Sequence, residues 1–149
     1  MPQRARECYL LSSVWAPWEQ LVPDWTAASS DPSIGNGTII GACRRNGTTG
    51  HYRGVIQMGT LTTYGTGEWR VALPDGWSAA TSITNGYQSG LAECYQASTT
   101  GAACYVVPGG TVLNFWYGSA RLSVTGSAPG VWAANHFLTW NITLELDNG

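Results

Sequence analysis

The sequence predicts an all-β fold, an antiparallel two-sheet sandwich of jelly-roll-like type with a short N-terminal arm. Helical periodicity is nearly absent along the 149 residues. Short apolar runs alternate with turns rich in Gly, Asn and Thr, and 19 residues are glycine. The runs do not recur at a fixed period, which argues against a propeller or a solenoid. We therefore divide the chain into a docking arm over residues 1–25 and a β-sandwich domain over residues 26–149.

The front half of the chain, residues 34–74, predicts three strands. Two of them, residues 38–45 and 51–58, flank Asn46 and Gly47, and Asn-Gly between apolar runs is a strong hairpin signal. Residues 68–73 alternate between apolar and polar types, which indicates a strand with one buried face.

The back half predicts a second hairpin and three further strands. The hairpin joins residues 91–97 to 103–107 through a turn at residues 98–101, and strands follow at 111–117 and 121–124. The clearest strand is residues 136–147, because apolar residues occupy every second position: Leu138, Trp140, Ile142, Leu144 and Leu146. One apolar and one polar face is the pattern of an antiparallel sandwich strand.

Composition excludes some partners and favours others. Charged residues are 11% of the chain and the formal net charge is -2, so nothing favours nucleic-acid binding. No apolar run approaches the ~18 residues of a membrane span, so we expect no membrane insertion. The chain carries eight Trp and seven Tyr. These aromatics belong either to the core or to a surface covered by a partner.

Two states of the cysteines are compatible with the sequence, a disulfide or buried free thiols. None forms a C-x-x-C pair, which argues against a zinc site. Cys94 and Cys104 bracket a nine-residue segment and could face each other across a hairpin, as a disulfide. The alternative is that the cysteines are buried free thiols, which suits a chain without a secretion signal.

No catalytic motif occurs in the sequence, and we predict neither enzymatic activity nor a cofactor. His51 and His136 have no local nucleophile or acid that would mark a catalytic group. The mid-chain carboxylates that a glycosidase would need are Glu68, Asp75 and Glu93, and solvated structural roles explain them equally well.

Several strings in the chain are similar to one known class of protein. They are PSIGNGT at residues 32–38, TTYGTG at 62–67, the strand that ends in Leu73-Pro74, and VWA at 131–133. Together they resemble a β-rich domain of minor tail and fibre-like structural proteins of tailed phages, especially those of actinobacterial hosts. The likeness spans residues 25–149. It departs at Cys43, where a larger residue is expected, and over residues 78–110.

This resemblance implies a non-enzymatic protein on the virion surface, assembled in the host cytoplasm. It would be a capsid decoration or a minor tail component, would contact other virion proteins, and would form a homotrimer. The alternative is a carbohydrate-binding module for a host-surface glycan, with Tyr64 and Trp77 as the candidate recognition surface. Both aromatics are also explained by packing. A third hypothesis is a secreted hydrolase or lectin-like toxin fragment that uses the three mid-chain carboxylates.

Overall fold

The computed structural model describes residues 17–82 and 86–147. All the regular elements in these ranges are β-strands, and there is no helix among them. The strands are β1 (Glu19–Leu21), β2 (Trp25–Ala27), β3 (Thr38–Asn46), β4 (Thr49–Gln57), β5 (Trp69–Ala72), β6 (Gln88–Gln96), β7 (Ser98–Val106), β8 (Val112–Tyr117), β9 (Leu122–Ser123) and β10 (Phe137–Glu145).

The strands form one continuous antiparallel sheet. Its order is β1-β3-β4-β10-β6-β7-β8-β5-β2, and β9 pairs with β8 beside this path. The longest pairings are the β3–β4 and β6–β7 hairpins and the β4–β10 ladder. The prediction of an antiparallel all-β fold is confirmed, whereas the division into two jelly-roll sheets stays a prediction.

The sheet curls over its own core as a half-barrel. The hydroxyl of Tyr52 in β4 donates to the carbonyl of Ala72 in β5 at 3.1 Å, although these strands lie far apart in the sheet order. Phe115 of β8 likewise meets Trp140 of β10 edge to face, with ring centroids 6.1 Å apart. The apolar side chains between these strands form one buried cluster.

The two edge strands of the sheet are neighbours in the chain. β1 pairs with β3 at one edge, β2 pairs with β5 at the other, and only residues 22–24 separate them. Four Cα steps reach no further than about 14 Å, so the two edges must approach each other this closely. Within residues 17–82 and 86–147 the first strand of the sheet begins at Glu19, inside the predicted arm of residues 1–25. Residues 1–16 of that arm lie outside the described residues.

The alternation predicted for the last strand is confirmed. Leu138, Trp140, Ile142 and Leu144 of β10 are buried, as is Leu146 just after it, while Asn141, Thr143 and Glu145 between them are exposed. β5 follows the same pattern, because Trp69 and Val71 are buried. Since successive side chains of a strand point to opposite faces, this spacing places one face of each strand in the core.

Glycines on the inner face make room for tryptophans. A Cβ at Gly54 would overlap the Trp140 ring, and one at Gly50 would lie 2.6 Å from Cζ3 of Trp77. Contacts this short do not occur in relaxed structures, so a larger residue at either position would displace a buried ring. The glycine content of β4 thus serves packing rather than turn formation.

The second hairpin turns earlier than the sequence predicts. Its tip is Ala97, at a φ of 68°, and residues 98–101 belong to strand β7 rather than to a turn. Gly101 pairs with Glu93 in the ladder. The prediction was wrong because small polar residues resemble a turn in sequence, whereas here most of them lie on a solvent-facing strand surface that needs no apolar side chain.

Candidate functional site

The polar loop after β4 is held by its own hydrogen bonds. The hydroxyl of Thr62, which is only 9% exposed, donates to the carbonyl of Ile34 at 2.6 Å and accepts from the Gly59 amide at 2.8 Å. The side chain of Asn36 accepts from the Leu61 amide at 2.8 Å. These contacts lock the loop to the connector that precedes β3.

The same loop pairs with the connector through its backbone. Isolated bridges join Ser30 to Thr66 and Ser33 to Thr63. Gly65 adopts a φ of 62° against the Ser30 carbonyl, and only glycine combines that conformation with that approach at no steric cost. The polar residues of the TTYGTG string are therefore largely used inside the protein.

The two aromatics predicted as a recognition surface lie in different places. Trp77 is 3% exposed and packs on Gly50 and, edge to face, on Tyr52, so it has no ring face for a sugar. Its assignment to a recognition surface was wrong, and packing explains it. Tyr64 is half-buried and stacks on Trp69 with ring centroids 6.4 Å apart. Tyr64 serves mainly to cover that tryptophan.

Cys94 and Cys104 are buried free thiols. The ladder pairs Cys94 with Thr100, four residues from Cys104 along β7, so the two Cα atoms are about 14 Å apart. A disulfide needs less than about 7 Å, and the Cys94–Cys104 disulfide is therefore wrong. Cys43 is disulfide-bonded, so the free-thiol reading does not extend to it. Cys8 lies outside the described residues.

The carboxylates considered for catalysis are not brought together. Glu68 accepts a 2.8 Å hydrogen bond from the Ser123 hydroxyl beside β8, whereas Glu93 lies on β6. At least three strand spacings separate them, about 14 Å, which exceeds the span of a glycosidase pair. Asp75 is exposed in the turn after β5. No group of three potential metal ligands occurs within residues 17–82 and 86–147.

Both histidines make local contacts. Nδ1 of His51 lies 2.9 Å from the Thr143 hydroxyl, and burial, followed by the charge of Arg44, lowers its pKa. Nδ1 of His136 accepts from the Ala133 amide at 3.0 Å. Their positions on separate segments of the sheet match a structural role.

The outer face of the sheet carries a cluster of three aromatic rings, which we call the aromatic ridge: Tyr87, Tyr105 and Trp116. Tyr105 and Trp116 stack with centroids 4.0 Å apart. Tyr87, which is 54% exposed, lies against both, at 5.1 Å from Tyr105 and 5.8 Å from Trp116. Tyr87 immediately precedes β6, and the other two rings lie on the neighbouring strands β7 and β8, so strand pairing brings residues distant in sequence together in the ridge.

Polar and charged side chains surround the ridge. The guanidinium of Arg121 lies 4.8 Å from the Trp116 ring centroid. The ladder places Asn114 between Tyr105 and Arg70. Burial raises the pKa of Tyr105, the Glu68 charge raises it further, and Arg70 opposes this, so both charges act at the same tyrosine. Aromatic area beside amide, guanidinium and carboxylate groups is the usual composition of a recognition site.

A second feature of the outer face is a shallow hollow of about 780 Å³, which we call the outer hollow. It lies across β3, β4, β10 and β6, and its lining includes Ile40, Arg53, Val55, Leu91, Glu93 and Thr139. Ile40 is 51% exposed and Leu91 is 77% exposed. The hollow therefore presents aliphatic side chains to solvent on a rigid hydrogen-bonded sheet.

Sequence reasoning missed both surfaces, although a signal for the ridge was present. In β8, Leu113 and Phe115 are buried, which puts Trp116 on the opposite face with Asn114. A tryptophan that shares a face with an asparagine two residues away, opposite a face that carries two large apolar residues, is a candidate surface aromatic. Its partners could not be found, because Tyr87 and Tyr105 reach it only through strand pairing.

Comparison with known families, curated proteins and solved structures finds no match to this chain. Among the described residues, no helix has the length and apolar character needed to cross a membrane.

Proposed function

We propose that this chain is a non-enzymatic structural protein on the surface of a tailed-phage particle, either a capsid decoration or a minor tail component. The observation that carries the proposal is the outer hollow, which would bind another virion protein or another copy of the chain. The resemblance of the PSIGNGT and TTYGTG strings supplies the class of particle. It also supplies the proposed homotrimer.

The hollow has the properties of an assembly surface. Ile40 and Leu91 leave much of their apolar area in water, and covering what remains exposed would contribute about 1–2 kcal/mol for each, since full burial of such a side chain contributes about 1.5–3 kcal/mol. Arg53 and Glu93 give the lining one charge of each sign, which suits a self-complementary or mixed partner. Because β3, β4, β10 and β6 are fully paired there, little ordering is needed on binding.

The distribution of titratable groups supports a role without catalysis. Glu68 and Glu93 lie too far apart for paired acid and base chemistry, and the buried thiols have pKa values raised to about 12 by burial. A thiol with such a pKa is not a nucleophile near neutral pH. We further propose that the molecule is a jelly-roll-like sandwich of two layers. One layer contains β4 and β10, and the other contains β5 and β8.

A test of assembly compares two exposed aliphatic positions. Leu91→Asp alters the hollow, whereas Val131→Asp alters a side chain that is 81% exposed and is not part of the hollow. We expect Leu91→Asp to abolish incorporation into purified particles and to lower the oligomer mass in native mass spectrometry, with Val131→Asp unchanged. Ordered copies should appear at symmetry-related positions in a particle reconstruction. Absence of the protein from intact virions would refute the proposal.

A second candidate function is carbohydrate recognition of a host-surface glycan. The aromatic ridge favours it, because the exposed Tyr87 ring and the half-buried rings beside it, near Arg70, Asn114 and Glu68, provide both apolar and polar contacts for a sugar. This role is compatible with a particle protein, since recognition and assembly would use separate parts of the sheet.

A further inference from the structure

We propose that the aromatic ridge is a saccharide-binding site, in which a pyranose ring packs on Tyr87 and its hydroxyls bind the side chains of Asn114, Arg70 and Glu68. This inference deepens the second candidate function and rests on it. It replaces Tyr64 and Trp77, the residues that the sequence suggested, with a different set of residues.

Tyr87 is the ring that a sugar would cover. It is 54% exposed, yet Tyr105 and Trp116 support it from one side. The ring is tilted against Tyr105 and edge to face with Trp116, and these contacts restrict it before a ligand arrives, so binding loses less side-chain entropy. One face of a pyranose carries mainly C–H bonds, and such a face packs on an aromatic ring by dispersion and weak C–H···π contact.

The polar side chains beside the ridge, those of Asn114, Arg70 and Glu68, offer the groups that vicinal hydroxyls of a sugar require. Asn114 and Arg70 are ladder partners on adjacent strands, which lie about 4.8 Å apart. The Ser123 hydroxyl donates to Oε1 of Glu68 at 2.8 Å, which holds that carboxylate in one orientation while Oε2 can accept another bond. Amide, guanidinium and carboxylate are planar groups that can each contact two hydroxyls, so together they recognise the rim of a sugar.

A role in stabilising the sheet explains fewer features of the ridge than saccharide binding does. Cross-strand aromatic contacts do stabilise sheets, by about 0.2–1 kcal/mol a pair. The Tyr95–Phe137 pair is a case on the same sheet, with centroids 4.8 Å apart and rings nearly parallel. The ladder partners of Tyr95 are Phe137 and Thr99, which carry no charge. The ridge differs in having Arg121 over one ring and Glu68 and Arg70 acting on another.

The test is an NMR titration of the full chain with methyl glycosides of glucose, galactose, mannose and N-acetylglucosamine, followed by their short oligosaccharides. We expect at least one of these probes to shift the indole N–H signal of Trp116, with the other indole signals unmoved. Tyr87→Ala should weaken binding at least tenfold, and Asn114→Ala should weaken it as well. Tyr95→Ala is the matched control and should bind like the wild type.

Three results would overturn the proposal. They are no shift with any probe, a shift that leaves the Trp116 indole unchanged, and equal weakening by Tyr87→Ala and Tyr95→Ala. Circular dichroism of each variant excludes loss of fold as the cause. Particle incorporation of Tyr87→Ala is measured separately, so a failed glycan site and a failed structural role are distinguished.

Discussion

Two aromatic groups lie on opposite faces of one sheet, and their surroundings differ. On the inner face, Trp69 is buried between Trp25 and Trp132, with ring centroids 4.8 and 4.7 Å away. On the outer face, the aromatic ridge leaves Tyr87 half open to solvent. The numbers of rings and their spacings are similar, so aromatic clustering by itself does not tell a core from a recognition surface.

The polar atoms of each group reveal the difference. The indole N–H groups of Trp69 and Trp132 donate to the carbonyls of Tyr64 and Thr125, both at 2.9 Å, whereas the N–H of Trp25 is buried without a hydrogen-bond partner. On the outer face the groups near the rings are charged side chains: Arg121 lies over Trp116, and the charges of Glu68 and Arg70 act on Tyr105. The inner aromatics therefore contribute to the fold, and the outer ones can be changed at small cost.

The largest expected effect tests the inner group. Trp69→Ala removes a buried indole and leaves a cavity between two other tryptophans, so we expect a loss of about 3–5 kcal/mol in the free energy of unfolding. Tyr87→Ala on the outer face should cost less than about 1 kcal/mol, because its ring is already half solvated. Urea denaturation followed by circular dichroism measures both. Similar losses for the two variants would remove the distinction between the faces.

The next effect uses two glycines in the interiors of strands. A Cβ at Gly54 would overlap the Trp140 ring on the inner face, whereas one at Gly101 would meet nothing within 4 Å. Overpacking costs about 1–3 kcal/mol, so Gly54→Ala should lower the urea midpoint clearly. Gly101→Ala, the control, should leave the midpoint unchanged or raise it slightly. A neutral Gly54→Ala would mean that the inner face is less tightly packed than the contacts indicate.

These pairs show why part of the molecule was predictable from sequence. The alternation in β10 is strong because every residue on one face of the strand is apolar. It therefore predicted the burial of every second residue from Leu138 to Leu146. The contrast between Gly54 and Gly101 has no local signal, since both glycines sit in similar stretches. Only the opposing Trp140, from a strand distant in sequence, makes one of them intolerant of a side chain.

A smaller effect separates two threonines of the polar loop. Thr62→Val keeps the shape of the side chain but leaves the Gly59 amide and the Ile34 carbonyl without their partner, which costs about 1–2 kcal/mol. Thr63 is exposed and bridges through its backbone, so Thr63→Val should change stability by less than about 0.5 kcal/mol. Thermal unfolding of the Thr62→Val and Thr63→Val variants measures this difference in stability. If Thr63→Val were the more damaging, the loop would be held by contacts other than these.

The smallest effect near neutral pH concerns the thiols of the inner face, and this effect grows only as the pH rises above 9. Burial raises the pKa of Cys94 and of Cys104 from 9.0 to about 12, so the folded state retains protons that the unfolded state loses first. Their contribution to stability is complete below pH 9 and falls as the pH rises from 9 towards 12. Denaturant midpoints measured across this range should fall less steeply for the Cys94→Ala, Cys104→Ala double variant. If the midpoint fell equally steeply with pH in the wild type and in the double variant, the thiols would not be the cause of the pH dependence.

The surfaces were the least predictable part. Trp77 follows a Pro-Asp-Gly turn, and that position made an exposed ring a reasonable expectation, yet Gly50 opposite leaves space for the indole to enter the core. Tyr87, Tyr105 and Trp116 were not singled out in the sequence, because nothing local marks Tyr87 or Tyr105 and only the alternation of β8 marks Trp116. The three rings come into contact because of how β6 pairs with β7 and how β7 pairs with β8, and no local pattern in the sequence specifies these registers.

The short link of residues 22–24 has a consequence for solubility. A curled sheet that does not close has two edges, and each edge can recruit a strand from another molecule. Here one stretch of chain supplies β1 and β2, three residues each, which shield part of β3 and of β5. Removing the chain through Ala27 would unmask both edges at once. Such a fragment would present complementary ends to its neighbours, and we expect it to form filaments or aggregates rather than a weakened monomer.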